Sequence, residues 1–177
     1  MASFVDRVVG AARLDVRTYE EVEADTTATP QAMGVVVLAA LASGIGVATT
    51  GATTVVGSIV AALVGWVVWA GLIWLTGTKL LPEPRTSADV GELLRTLGFA
   101  SSPGLLLVLR IVPFVGLLLE LVVLVWQLAA TVVAVRQALD YSSTLRAIGV
   151  CLIGWVIYVG VRFVIALMFG ITSVALG

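Results

Sequence analysis

Histidine is absent from the 177 residues, and cysteine occurs once, at Cys151. Without histidine the chain lacks the usual general base, the usual zinc ligand and the usual pH switch. A single cysteine excludes a disulfide framework and a CxxC metal site, and inside an apolar run Cys151 reads as a small buried hydrophobe. Charge is scarce too: 12% of residues are charged, against roughly 25% in soluble domains. The one lysine is Lys79, and no cluster of four or more basic residues occurs, so nothing indicates nucleic acid or a strongly anionic lipid surface as partner. There is no HExxH, no histidine to partner a serine and no pair of intramembrane aspartates, so the chain is expected not to be an enzyme and to need no cofactor or metal.

What is abundant is apolar. Hydrophobic residues make up 60% of the chain and the mean hydropathy is +1.12. A hydrocarbon layer about 30 Å thick takes roughly 20 apolar residues per helical span. Stretches meeting that length start at Pro30, Thr53, Val90, Phe114 and Thr144. The expected fold class is all-α: a polytopic membrane protein, a bundle of five transmembrane helices with an N-terminal amphipathic interfacial helix. Residues 1–29 are expected to form a cytoplasmic amphipathic and acidic segment, and 30–177 the five-helix domain. The first residues lack a basic and an apolar signal region, so the N-terminus is expected to be retained.

In the leading segment Phe4, Val5, Val8, Val9, Ala12 and Val16 recur at helical spacing, with Asp6, Arg7, Gly10 and Arg13 on the other side and Ser3 as N-cap. Thr18-Tyr19-Glu20-Glu21 has capping-box form and is expected to open a short helix carrying Glu20, Glu21, Glu23 and Asp25. These carboxylates read as a solvated face rather than a cation site. Thr29-Pro30 marks the start of span one. Span two carries Gly57, Ala61 and Gly65 four apart, a stripe suited to close helix packing, and Trp66, Trp69 and Trp74 read as lipid-facing or interfacial anchors. Thr86-Ser87-Ala88-Asp89 resembles a helix cap before span three. Ser101-Ser102-Pro103-Gly104 interrupts that span, predicting a kink with the serines or neighbouring helices satisfying the freed carbonyl.

Eight of the ten basic residues fall on the side of the N-terminal segment and the loops around Arg85 and Asp140. The positive-inside rule then places the N-terminus in the cytoplasm and the C-terminus outside, which requires an odd number of spans. Three ionisable residues lie in apolar surroundings: Arg110, Glu120 and Arg162. Each costs about 2.5–3.5 kcal/mol at a helix centre on insertion scales. They are expected to form a buried cluster with Gln127 and Tyr158 as polar neighbours. Structurally the cluster would be an interhelical clamp; functionally it would be a solute or proton pathway or a site for an anionic headgroup.

Leu97-Gly98-Phe99-Ala100-Ser101-Ser102-Pro103 resembles the L-G-[Y/F]-x-x-x-P signature of the Yip family, and Ile111-Val112-Pro113-Phe114-Val115-Gly116 with Trp126 is similar to the I-P-x-x-G…W pattern of its prokaryotic members. The resemblance implies five helices, a cytosolic N-terminus and a kinked third span. Eukaryotic members act as non-enzymatic partners of small GTPases in membrane traffic. The short N-terminal region here lacks the D-L-Y-G-P-type stretch of those proteins, so small-GTPase binding is not carried over. The arginine-rich, Ala- and Val-rich composition suggests a prokaryotic chain in a cytoplasmic (inner) membrane. The function expected is non-enzymatic organisation of membrane or partner proteins, with membrane lipids, other membrane proteins or further copies of the chain as partners. The alternative is a small-solute or ion permease using Arg110, Glu120 and Arg162.

Overall fold

Capping chemistry sets where the helices begin. The computed structural model describes residues 2–45, 52–112 and 116–168, without the side chains of 45, 52–54, 162 and 165–168. The turn containing Pro113 and everything after Met168 lie outside these residues. Helix α1 (Phe4–Ala12) starts where Ser3 accepts from the Asp6 amide and the Asp6 carboxylate accepts from the Ser3 amide, a reciprocal capping box. Helix α2 (Val16–Ala24) is capped by Asp15, not by Thr18 as its capping-box spelling suggests. Thr18 donates its hydroxyl to Asp15, because aspartate is at least as strong an N-cap as threonine and stands three residues earlier.

Asp25 caps a 3-10 turn (Thr26–Ala28) that runs into α3 (Thr29–Ile45), with Pro30 in its first turn. Helix α4 (Ala52–Leu75) ends in a π-helical turn (Thr76–Leu80). Asp89, rather than Thr86, caps α5 (Val90–Phe99), in a box with Glu92. Helices α6 (Gly116–Ala138) and α7 (Thr144–Met168) complete the bundle. Among the described residues five stretches are long and apolar enough to cross a bilayer: 26–44, 55–80, 90–111, 116–138 and 144–161. The protein is an all-α, multi-pass membrane bundle.

The interruption in span three is a change of helix type. Pro103 has no N–H for the Phe99 carbonyl, and Ser102 donates its hydroxyl to that same carbonyl at 2.5 Å while Ser101 donates to Leu97 O. Beyond it the chain runs as a 3-10 helix, Ser102–Ile111. Ten residues then advance about 20 Å instead of about 15 Å, so this span gains reach where its α-helical part is short.

The segment before α3 is docked on the bundle. Ala11, Tyr19 and Val22 are fully buried in the same core as Ala32, Ile73, Phe99, Leu139 and Val150, and the Phe4 and Phe99 rings meet at 6.5 Å. The amphipathic pattern splits: Phe4, Val8 and Ala11 pack inward, whereas Val5, Val9 and Val16 face outward. Arg7, placed on the polar side by its spacing, is 2% exposed.

The tryptophans of α4 also differ from expectation. Trp66 and Trp74 donate their indole N–H groups to Leu94 O and Ala88 O, both at 3.0 Å, and so fasten α4 to α5 and its approach. Trp69 meets Tyr158 edge-on. An indole N–H turned away from water has to find an acceptor, and the loop before α5 and α5 itself supply carbonyls within reach. Of the small-residue stripe, Gly57 and Ala61 face outward; only Gly65 approaches another helix, with the Tyr158 hydroxyl 3.9 Å from where its Cβ would lie.

Candidate functional site

The intramembrane charges start from the end of span three. Arg110 stands in the last turn of the 3-10 run, and its Nη2 lies 2.6 Å from Oε1 of Glu120, one turn into α6. The two side chains are 26% and 42% exposed, so this is a surface pair on the bundle rather than a sealed one. The expected third member, Arg162, has its side chain outside the described residues. Tyr158 lies elsewhere, beside Trp69 and Gly65.

Gln127 connects these places. Glu120, Leu124, Gln127 and Thr131 follow one another at helical spacing along one face of α6. Beneath them are three linked cavities. One of about 430 Å³ is lined by Arg110, Glu120 and a set of leucines. A second, about 460 Å³, lies between α3, α4, α6 and the 3-10 run and is lined by Tyr158, Ser101 and Ser43. The third, about 800 Å³, opens between α4, α6 and α7. Gln127 lines all three. Its amide oxygen is 3.4 Å from where a Cβ on Gly104 would sit, so glycine there lets the amide lie against the 3-10 backbone. From Glu120 inward the polar groups along α6 are neutral, Gln127 and Thr131.

At the other end, residues 2–31 are held by a set of charges that spacing alone does not reveal. The buried Arg7 guanidinium pairs with Glu21 at 2.9 Å and Asp25 at 2.7 Å, and donates to the Gln31 side chain at 3.1 Å. Burial disfavours the Arg7 charge, but hydrogen bonds to the two carboxylates outweigh that and raise its pKa. Arg7 in turn lowers the pKa of Glu21. Asp25 is held down to about 2, first by the Thr27 hydroxyl and then by Arg7. Arg95, also buried, donates to the carbonyls of Val22 and Glu23 at the end of α2, where a cation complements the helix dipole. Glu23 behaves oppositely to its neighbours: burial, then Asp140 and Glu92, push its pKa up to about 7 against the pull of Arg95. Of the four clustered carboxylates, two are thus committed to Arg7, and Glu20 accepts from Gln137. Among the described residues no group of three or more His, Cys, Asp or Glu is arranged to hold a metal ion.

The short motifs of spans three and four sit at contacts. Leu97, Phe99 and Pro103 are buried. A Cβ on Gly98 would lie 2.7 Å from the Ala32 Cβ and 3.0 Å from Ala32 O, so only glycine lets α5 reach α3 here. Trp126 donates its indole N–H to Ala12 O at 2.6 Å, holding a terminal carbonyl of α1. Gly116 opens α6 with no described atom close to its missing side chain. A family model of the Yip1 domain matches residues 24–174. The chain belongs to the Yip1 domain family. Neither the curated proteins nor the solved structures searched give a match. In this Yip1-domain protein the Leu97–Pro103 motif is therefore a packing and backbone device. Gly98 permits close approach, Ser102 repairs the proline's missing bond, and Trp126 ties the bundle to a helix that precedes the matched region.

Proposed function

We propose that this Yip1-domain protein is a non-catalytic organiser of membrane or partner proteins, and that α1 and α2 present the face it uses. The observation that carries the reading is the docking of these helices. Arg7, Arg95 and Trp126 fasten them to the bundle through buried contacts, leaving Val5, Val9, Arg13, Val16 and Arg17 outward on an immobilised surface. A segment whose only task was to precede the first span would need no such fastening. An apolar row beside arginines suits either a lipid surface or an apolar partner helix. The family is not a known enzyme family. The basic-residue distribution supports a cytoplasmic N-terminus and an external C-terminus, and the arginine-, Ala- and Val-rich composition is in keeping with a prokaryotic inner membrane.

Photo-crosslinking in cells tests the face directly. A crosslinker at Val9 is expected to yield discrete protein adducts that are lost when Arg13 and Arg17 are changed to glutamate; adducts no different from those at Leu128 on α6 would overturn the reading. Orientation is read separately, with single cysteines in a Cys151→Ser background. Ser87→Cys should react only from the cytoplasmic side and Ala175→Cys only from outside; reaction of both from one side would refute it.

A further inference from the structure

We propose that the furrow along α6 is a binding site for a phospholipid whose headgroup carries both a phosphate and a primary ammonium, the headgroup at Arg110 and Glu120 and an acyl chain along Leu124 and Gln127. This rests on the membrane-spanning fold and stands apart from the reading of α1 and α2.

A charged pair stands at the mouth of the furrow. Glu120 is four residues into α6, about 6 Å from its start, and Arg110 is one residue from the end of the 3-10 run. Both are therefore near the end of their spans, where hydrocarbon gives way to headgroups. At that depth a charged pair can meet lipid headgroups, and this one is left 26% and 42% exposed. The 2.6 Å contact uses one guanidinium nitrogen and one carboxylate oxygen. Among the described residues no other ion pair involves either side chain. A guanidinium has five N–H donors in a fork that fits phosphate, and a carboxylate has two acceptor oxygens. The pair thus offers a cation and an anion side by side.

Cavity shape says what lies behind the headgroup. Apart from Arg110, Glu120 and Gln127, the cavity of about 430 Å³ is lined only by aliphatic residues, Leu107, Leu117 and Leu121 among them. It shares Leu124 and Gln127 with the cleft of about 800 Å³ between α4, α6 and α7. From Glu120 to Val132, where that cleft ends on α6, the furrow runs roughly 18 Å. A leaflet's share of the hydrocarbon layer is about 15 Å. A charged mouth and an apolar trough one leaflet deep fit one lipid molecule better than a water-soluble phosphate compound.

Complementarity then selects the headgroup. Ethanolamine phosphate places an anion on Arg110 and a hydrogen-bonding ammonium on Glu120. A glycerol headgroup supplies no cation for Glu120, and the quaternary ammonium of choline has no N–H to donate to it.

Retention by the purified protein in mild detergent, read by native mass spectrometry, tests this with phosphatidylethanolamine, phosphatidylcholine and phosphatidylglycerol of identical acyl chains. The wild type is expected to keep phosphatidylethanolamine about tenfold better than the other two, the size of one charge-assisted hydrogen bond. Glu120→Gln should erase that preference while the protein stays monodisperse. Leu124→Trp, which fills the trough, should lower retention of all three lipids. Equal retention of the three by the wild type would overturn the proposal whether or not either variant folds. So would a preference that survives Glu120→Gln, unchanged retention in a folded Leu124→Trp, or competition by soluble phosphoethanolamine equal to that of the lipid.

Discussion

Gly98 shows what a single missing methyl group does here. Its α-carbon faces Ala32 so closely that a Cβ would meet both a side chain and a backbone carbonyl, and neither can swing aside. Gly98→Ala is expected to force α5 off α3 and cost about 1–3 kcal/mol, the range for overpacking a tight core. Gly116→Ala, with no described atom near the site, should be close to neutral. Comparing the thermal unfolding midpoints of the two variants in detergent checks this; equal shifts would remove the packing explanation of the motif. At this scale the sequence was legible in part. Leu97-Gly98-Phe99 and Pro103 could be picked out by spelling, but the reason for the glycine lies on a helix far away in the chain. Spacing puts Arg7 on the wrong side for the same reason. Helical spacing counts only neighbours on α1, whereas Glu21, Asp25 and Gln31 belong to α2, the turn after it and α3.

Helix α1 depends on side chains from elsewhere, since nine residues are too few to hold a helix alone. Two of its polar anchors differ in kind. Trp126→Phe keeps an aromatic side chain but removes the pyrrole ring with its hydrogen bond to Ala12 O, and the bond itself contributes about 1 kcal/mol. Arg7→Met removes both ion pairs and the hydrogen bond to Gln31 at once, and leaves Glu21 and Asp25 facing each other without their cation. Limited proteolysis at the Arg13–Leu14 turn should therefore accelerate much more in Arg7→Met than in Trp126→Phe; the reverse order would mean that the indole, not the ion pairs, fixes the segment. Five spans and their approximate limits follow from apolar length, because lipid demands internally bonded helices of a set reach. The 3-10 half of span three does not follow from it. Apolar runs read alike in either helix type, and the choice is made by Pro103, its two serines and the packing of this run on α3 and α6. The furrow was half visible: Glu120 and Gln127 were selected as rare polar residues in an apolar helix, but their link through Leu124 needs the neighbouring helices in place.

For the whole molecule, the carboxyl groups outside the spans titrate by two opposite rules, and together they set an optimum. Asp25 ordinarily titrates at 3.8 and is held to about 2 in the fold, and Glu21 and Glu83 are also lowered from 4.5. Folding depressed these values, so the stability they contribute is complete above the ordinary values and is lost as pH falls through the folded ones. Glu23 has the opposite sign: the fold holds its proton up to about 7, so its contribution is complete below 4.5 and is lost as pH rises through 7. The two windows overlap best at about pH 5, where Asp25 and Glu21 are ionised and Glu23 is still protonated in the fold. Cys151, half-buried on α7, is a built-in reporter, since a thiol-reactive dye labels it as the bundle opens. The unfolding midpoint is expected to be highest near pH 5 and to fall towards both pH 3 and pH 8. Glu23→Gln, which stays neutral in the same pocket, should flatten the fall towards pH 8 and leave the acid side unchanged. A wild-type midpoint that is level from pH 5 to pH 8, or a decline that persists in Glu23→Gln, would show that the half-buried carboxyl between α2, α5 and the α6–α7 turn does not govern the alkaline limb.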